Sequence, residues 1–269
     1  MYAGSTLTRI SGNIIGAHQK IDKIARKHLE TLIPDSKFPE ISDILHFEGD
    51  HGPDSMKRKS PAKDEPWHFI QPFDKNDTQL IDVICDHYKE LVKALRSEND
   101  VRAAFEAAWL AHAMVDGLTP AHHYPYAEKL SELRNGEGLE TRSTMKNRLI
   151  MQGDTNSHTM KNNWKMWGPK GLFTTHASFE IGVATLIAPL GFTDKLPSTD
   201  FLSTFAKKSL GPWYRTIAQE IAKLNIYDEF YQSGWTLKLS HRVKEELAPT
   251  LINAVTTVWY SAYKEAKSK

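Results

Sequence analysis

His112 and Asp116 lie four residues apart in an alanine-rich stretch, and His122 follows six residues later. On a helix, positions four apart share one face. Pro120 ends such a helix and can turn His122 back toward that face. Imidazole and carboxylate together form the ligand set that zinc accepts where it does chemistry. His176 and Glu180 repeat the His-x3-acid spacing in a second helical stretch. His123 stands next to His122 and could replace it, but the spacing favours His122.

A single pair is weak evidence. The chain holds five His-x3-acid pairs, at His18/Asp22, His46/Asp50, His112/Asp116, His176/Glu180 and His241/Glu245. Most such pairs in proteins are charge pairs on a helix surface. His28, His46, His51, His87 and His241 are accordingly expected at the surface or at helix caps, and Cys85 in the core. The basic run Met56-Lys57-Arg58-Lys59 reads as a solvated loop.

The elements that must position these residues are helical. Apolar residues recur every three or four positions from Leu7 to Leu32, and Pro34 stops that pattern. A polar loop rich in Asp, Gly, Pro and Lys occupies about 48–66. Helices are expected over Thr78–Leu95 and Val101–Gly117, and over about 123–135, 172–190, 199–225 and 236–266. No alternating run is long enough for a strand, and no repeat or linker divides the chain. The expectation is one all-α domain over 1–269.

Composition narrows the function classes. The 269 residues carry twelve His, 34 Lys or Arg and 33 Asp or Glu, for a net charge of +1. A dedicated non-specific nucleic-acid binder usually has a clear basic excess. The single cysteine excludes an internal disulfide or a zinc site built on several thiolates. There is no apolar run long enough to span a membrane. Neither a Walker-type loop nor a Gly-x-Ser-x-Gly elbow occurs. The first twenty residues include Arg9, Asn13, His18 and Lys20, which do not make a secretory signal, so the expected location is cytoplasmic.

The order of the residues adds what the pairs lack. His18 comes first; Asp54 precedes His68 by fourteen residues; then come His112, Asp116 and His122, and then His176 and Glu180. This series resembles the zinc-dependent phospholipase C family and the related fungal single-strand nucleases, over roughly residues 10–190. Pro66-Trp67-His68-Phe69 is similar to the aromatic-flanked histidine of the nucleases.

The resemblance implies a multi-helix domain of the phospholipase C type holding two or three zinc ions. Asp54, His68, His112 and Asp116 would hold one. Asp116 would bridge to a second, which also takes His18. The third would take His122, His176 and Glu180. Asp54 would also orient or deprotonate the attacking water, and Trp67 would face substrate. In the family the mature N-terminus supplies its amine and carbonyl beside the early histidine; here either Met1 folds back to serve, or that site is open, or it uses another ligand. Family members are usually secreted. They also have a much shorter gap between the last two histidines, which marks about 124–170 as an insertion.

The function implied is hydrolysis of a phosphodiester, in a phospholipid or a nucleic acid, by zinc-bound hydroxide. No protein partner is implied. The alternative is a non-catalytic helical metal-binding or structural protein on the same fold.

Overall fold

The computed structural model describes residues 1, 16–48, 51–54, 68–138, 141–142 and 144–268. Trp67, the basic run at 56–59 and the apolar positions before residue 16 lie outside them. Every regular element among the described residues is helical. The helices are α1 (Ala17–Leu32), α2 (Ile41–Glu48), α3 (Gln79–Arg96), α4 (Asp100–Leu118), α5 (Tyr126–Leu133), α6 (Met145–Leu149) and α7 (Asn156–Trp167). They continue with α8 (Leu172–Ile187), α9 (Thr199–Ala206), α10 (Leu210–Lys223), α11 (Ile226–Ser233), α12 (Leu237–Arg242) and α13 (Ala248–Lys267).

Helix α4 is the axis of the fold. Asn99 caps it by accepting from the Arg102 amide at 3.0 Å. Alanines at 103, 104, 107, 108 and 111 let neighbours approach closely, and all five are buried. From Leu110 to Leu118 every residue is buried, so this end of the helix has no solvent face. Leu80, Ile84 and Leu91 of α3 pack on it, with α1, α2, α10 and α13 around the remainder. Burying each such Leu or Ile is worth about 1.5–3 kcal/mol. Trp259 of α13, wholly buried, donates to the Ala107 carbonyl at 3.1 Å.

Gly117 is required by packing rather than by its backbone angles. A methyl group there would run into the Tyr214 hydroxyl and the Leu80 side chain. That hydroxyl instead donates to the Met114 carbonyl at 3.1 Å, which ties α10 to the end of α4 that carries Asp116.

The helix ends differ from expectation where local chemistry interrupts a long apolar pattern. The expected helix over 199–225 is two helices, because Ser209 starts a new one and Pro212 follows within its first turn. The stretch 236–266 is interrupted by a π-helical turn at Val243–Leu247, just before Pro249. Helices α2, α6, α7 and α11 lie outside the expected spans. Helices α5 and α7 share a small core of their own, made by Leu130, Met151 and Met166 with Tyr126, Leu133, Trp167 and Leu172. This core covers the flank of α8.

Candidate metal centre

His18 and Asp22 stand on the stripe of α1 that also carries Ile21 and Ala25, so core packing buries both polar residues. His112 and Asp116 come from the fully buried end of α4. After Thr119 the chain makes a 3-10 turn over Pro120–His123. That turn brings His122 back beside Asp116, with 3.9 Å between His122 Nδ1 and Asp116 Oδ2. His176 and Glu180 lie one turn apart on α8, with 3.1 Å between His176 Nε2 and Glu180 Oε1.

Two sets of expected donors come close enough to hold one ion each. Asp54, His68 and His112 offer ligand atoms all within 4.8 Å of one another, and so do His122, His176 and Glu180. Asp116 lies between them. Its Oδ2 pairs with His68 Nδ1 and lies 3.2 Å from His112 Nε2. Its Oδ1 accepts from the Met1 amine and lies 3.2 Å from His18 Nε2. His18 Nε2 is also 2.7 Å from the Met1 carbonyl oxygen. Met1 is therefore folded back onto the centre, and its amine reaches Glu180 Oε1 at 3.2 Å.

His122 and His123 point in different directions. His122 Nδ1 donates to the His68 carbonyl at 2.8 Å, which leaves Nε2 facing Glu180 Oε1 at 2.8 Å. His123 Nε2 donates to the Gly117 carbonyl at 2.9 Å, away from the centre. Phe69 stacks on the His122 ring at 4.9 Å and on Tyr126 at 5.3 Å. Tyr126 in turn lies 5.5 Å from His176. These rings shield one side of the second donor set.

Glu48 and Asp22 are the members that sequence reasoning missed. Glu48, at the end of α2, is wholly buried. It accepts from His112 Nδ1 at 2.8 Å and lies 3.8 Å from His18 Nδ1. The two imidazoles are stacked, with centroids 4.0 Å apart and planes 4° from parallel. Nothing in the spacing around Glu48 marks it. For Asp22 the signal is the His18/Asp22 spacing, which surface charge pairs share. His28 also departs from expectation: it is buried, and its Nε2 donates to the Phe192 carbonyl at 2.9 Å.

The electrostatics suit metal ligands. Burial alone would push the Asp116 carboxyl up, but the Met1 amine, His122, His112 and His68 together hold it well below the usual range. Glu180 behaves alike: burial opposes its charge, and the Met1 amine and His176 outweigh that. Burial would lower His112, yet Glu48 and Asp116 raise it to about 10. Burial dominates at His122 and lowers it to about 4, so this ring is neutral at physiological pH, the form that binds metal. Burial, then the charge of Glu48, pushes Asp22 well above the carboxylate range.

The donor set fits a divalent cation. Buried carboxylates are costly unless paired with positive charge. Here Asp54, Asp116 and Glu180 converge among neutral or protonatable rings. His112 Nε2 is buried and makes no hydrogen bond among the described residues, although it faces the cluster. No helix of the described residues is long and apolar enough to cross a membrane. No protein-family model, curated protein or solved structure matches this chain.

Proposed function

We propose that the chain is a zinc-dependent phosphoesterase of the phospholipase C type that hydrolyses a phosphodiester in phospholipid or nucleic acid. One observation carries this reading. Two three-residue donor sets, drawn from segments far apart in sequence, flank a single buried carboxylate, Asp116. Nitrogen and oxygen donors without cysteine, joined by a shared carboxylate, suit clustered zinc.

Asp54, His68 and His112 would hold one ion, and His122, His176 and Glu180 another. A third would sit with His18 and Met1. Asp116 would join the first of these to the third. Bound ions of this kind lower the pKa of water and offset charge on a phosphoryl group.

The protein's own groups do the rest. Asp54 is the most exposed of the donor carboxylates, with 22% of its side chain open, against 1% for Asp116 and 14% for Glu180. It stands where water enters and takes the proton from the water that attacks phosphorus. Glu48 holds the His112 Nδ1 proton, which presents Nε2 to the centre. Phe69 and Tyr126 keep water from the back of His122 and His176.

Metal analysis of the full chain, followed by a panel of phospholipids, oligonucleotides and simple phosphodiesters, tests the proposal. Two or three zinc ions per chain with turnover on the panel is the expected result. Zinc retained without turnover on any substrate would overturn the enzyme reading in favour of a non-catalytic metal-binding protein.

A further inference from the structure

Helix α7 and the segments beside it expose an apolar face that the metal centre does not use. Met160 and Trp164 lie one turn apart on α7 and are 72% and 68% exposed. Trp167, one turn further along, joins them to the flanking segments. Its Nε1 donates to the Leu149 carbonyl at 2.8 Å, and its ring lies 4.9 Å from Phe173. Leu149, Ile150 and Phe173 are themselves exposed. Isolated surface apolar residues are ordinary, but a contiguous group marks a contact surface.

Charge specifies the partner. Residues 142–173 contain six Lys or Arg and a single acid, Asp154, a net of +5 within a chain whose total is +1. Lys161 and Lys165 each follow one of the exposed apolar residues of α7, so the apolar face has a basic edge. Lys146 and Lys170 stand on the neighbouring segments, and all four lysines are exposed. Among the described residues no carboxylate pairs with Lys146, Lys161 or Lys165. A helix face with Trp and Met beside lysines has the chemistry of an interfacial helix on anionic lipid. Single-stranded nucleic acid would also welcome Trp and Lys. Exposed Met160, Leu149 and Ile150 offer nothing for a base to stack on, however, and they suit acyl chains.

We infer that this face docks on a bilayer surface carrying anionic phospholipid. The tryptophan and aliphatic side chains enter the headgroup boundary, and the lysines meet the lipid phosphates and carboxylates. Helix α7 packs against α8, which carries His176 and Glu180, so docking brings the metal centre close to the membrane surface. The inference does not rest on turnover, because binding and hydrolysis are separate measurements.

Cosedimentation of the full chain with vesicles tests it, using phosphatidylcholine alone and phosphatidylcholine mixed with phosphatidylserine. The expected result is binding to the mixed vesicles, little to the neutral ones, and weakening as salt is raised. Lys161→Ala with Lys165→Ala should weaken binding about 30-fold. Met160→Ala with Trp164→Ala should abolish it, with melting temperature and metal content unchanged in both pairs. Equal binding by the variants and the parent would overturn the inference, as would no binding to either vesicle. So would capture of a single-stranded oligonucleotide, in place of vesicles, that the same substitutions remove.

Discussion

Glu48 and Asp116 face each other across the stacked rings of His18 and His112. Glu48 lies on the Nδ1 side of both rings, at 3.8 Å and 2.8 Å, and Asp116 lies on the Nε2 side of both, at 3.2 Å each. Glu48 thus accepts from Nδ1 of His112 and turns its Nε2 toward Asp116, with the His18 ring stacked alongside. A proton held on Nδ1 leaves Nε2 as the donor atom, and groups that fix ligands in this way commonly matter to metal affinity.

Removing Glu48 should therefore weaken zinc binding without removing a ligand. Glu48→Ala should lower zinc affinity about 10–100-fold. Glu48→Gln should fall between Ala and the parent, because its carbonyl can still accept from Nδ1 of His112. Competition with a chromophoric chelator measures the order. Equal affinities in all three proteins would remove Glu48 from this role.

Asp116→Asn should cost more zinc and more activity than His176→Ala. The aspartate would touch two ions about 3.5–4 Å apart, whose repulsion its negative charge offsets. His176 belongs to one donor set only, so its loss should spare the other ions and part of the rate. Zinc content and phosphodiester hydrolysis, measured side by side, decide this. An Asp116→Asn protein with full zinc and parental rate would leave the bridging idea without support.

Zinc uptake should release protons. His112 is held at about 10 without metal, so its ring is protonated at neutral pH, and a bound metal requires it neutral. Zinc affinity should rise with pH up to about that value. Calorimetric titration in buffers of different ionisation enthalpy reads the proton count directly. A heat independent of the buffer would contradict the prediction.

The metal-free protein should lose stability at both ends of the pH scale. His112 has its pKa raised on folding, so its contribution is full below the ordinary histidine value, about 6.5, and is lost as pH rises toward about 10. Asp116 and Glu180 are depressed, so theirs is full above the ordinary carboxylate values and is lost as pH falls below them. Thermal melts of chelator-treated protein across pH check both limbs. Saturating zinc should remove the alkaline loss, because the metal replaces the His112 proton.

Gly117→Ala should destabilise the fold, against the usual gain of about 1 kcal/mol for this change inside a helix. The added methyl meets Tyr214 and Leu80 in a packed interior, and overpacking costs about 1–3 kcal/mol. The shift should also reach Asp116 next in sequence and lower zinc content. A raised melting temperature would show that the site relaxes freely.

The helical character of the chain was legible in the sequence because apolar spacing of three and four residues is a local property, and α3, α4 and α8 lie close to where that spacing puts them. So was the pairing of His112 with Asp116 and of His176 with Glu180, since one helical turn fixes it. Tertiary structure decided what no local pattern encodes. Packing of α2 on α4 brings Glu48 against His112, 64 residues away. The 3-10 turn over Pro120–His123 and the placing of α8 set His122, the residue the spacing favours, against Glu180. Burial, which depends on every neighbouring helix at once, takes His18 and Asp22 off the surface their spacing suggests and pushes the Asp22 carboxyl well above its usual range. Spacing shows which residues can share a face, but only the packed core shows which faces meet and which charges lose their water.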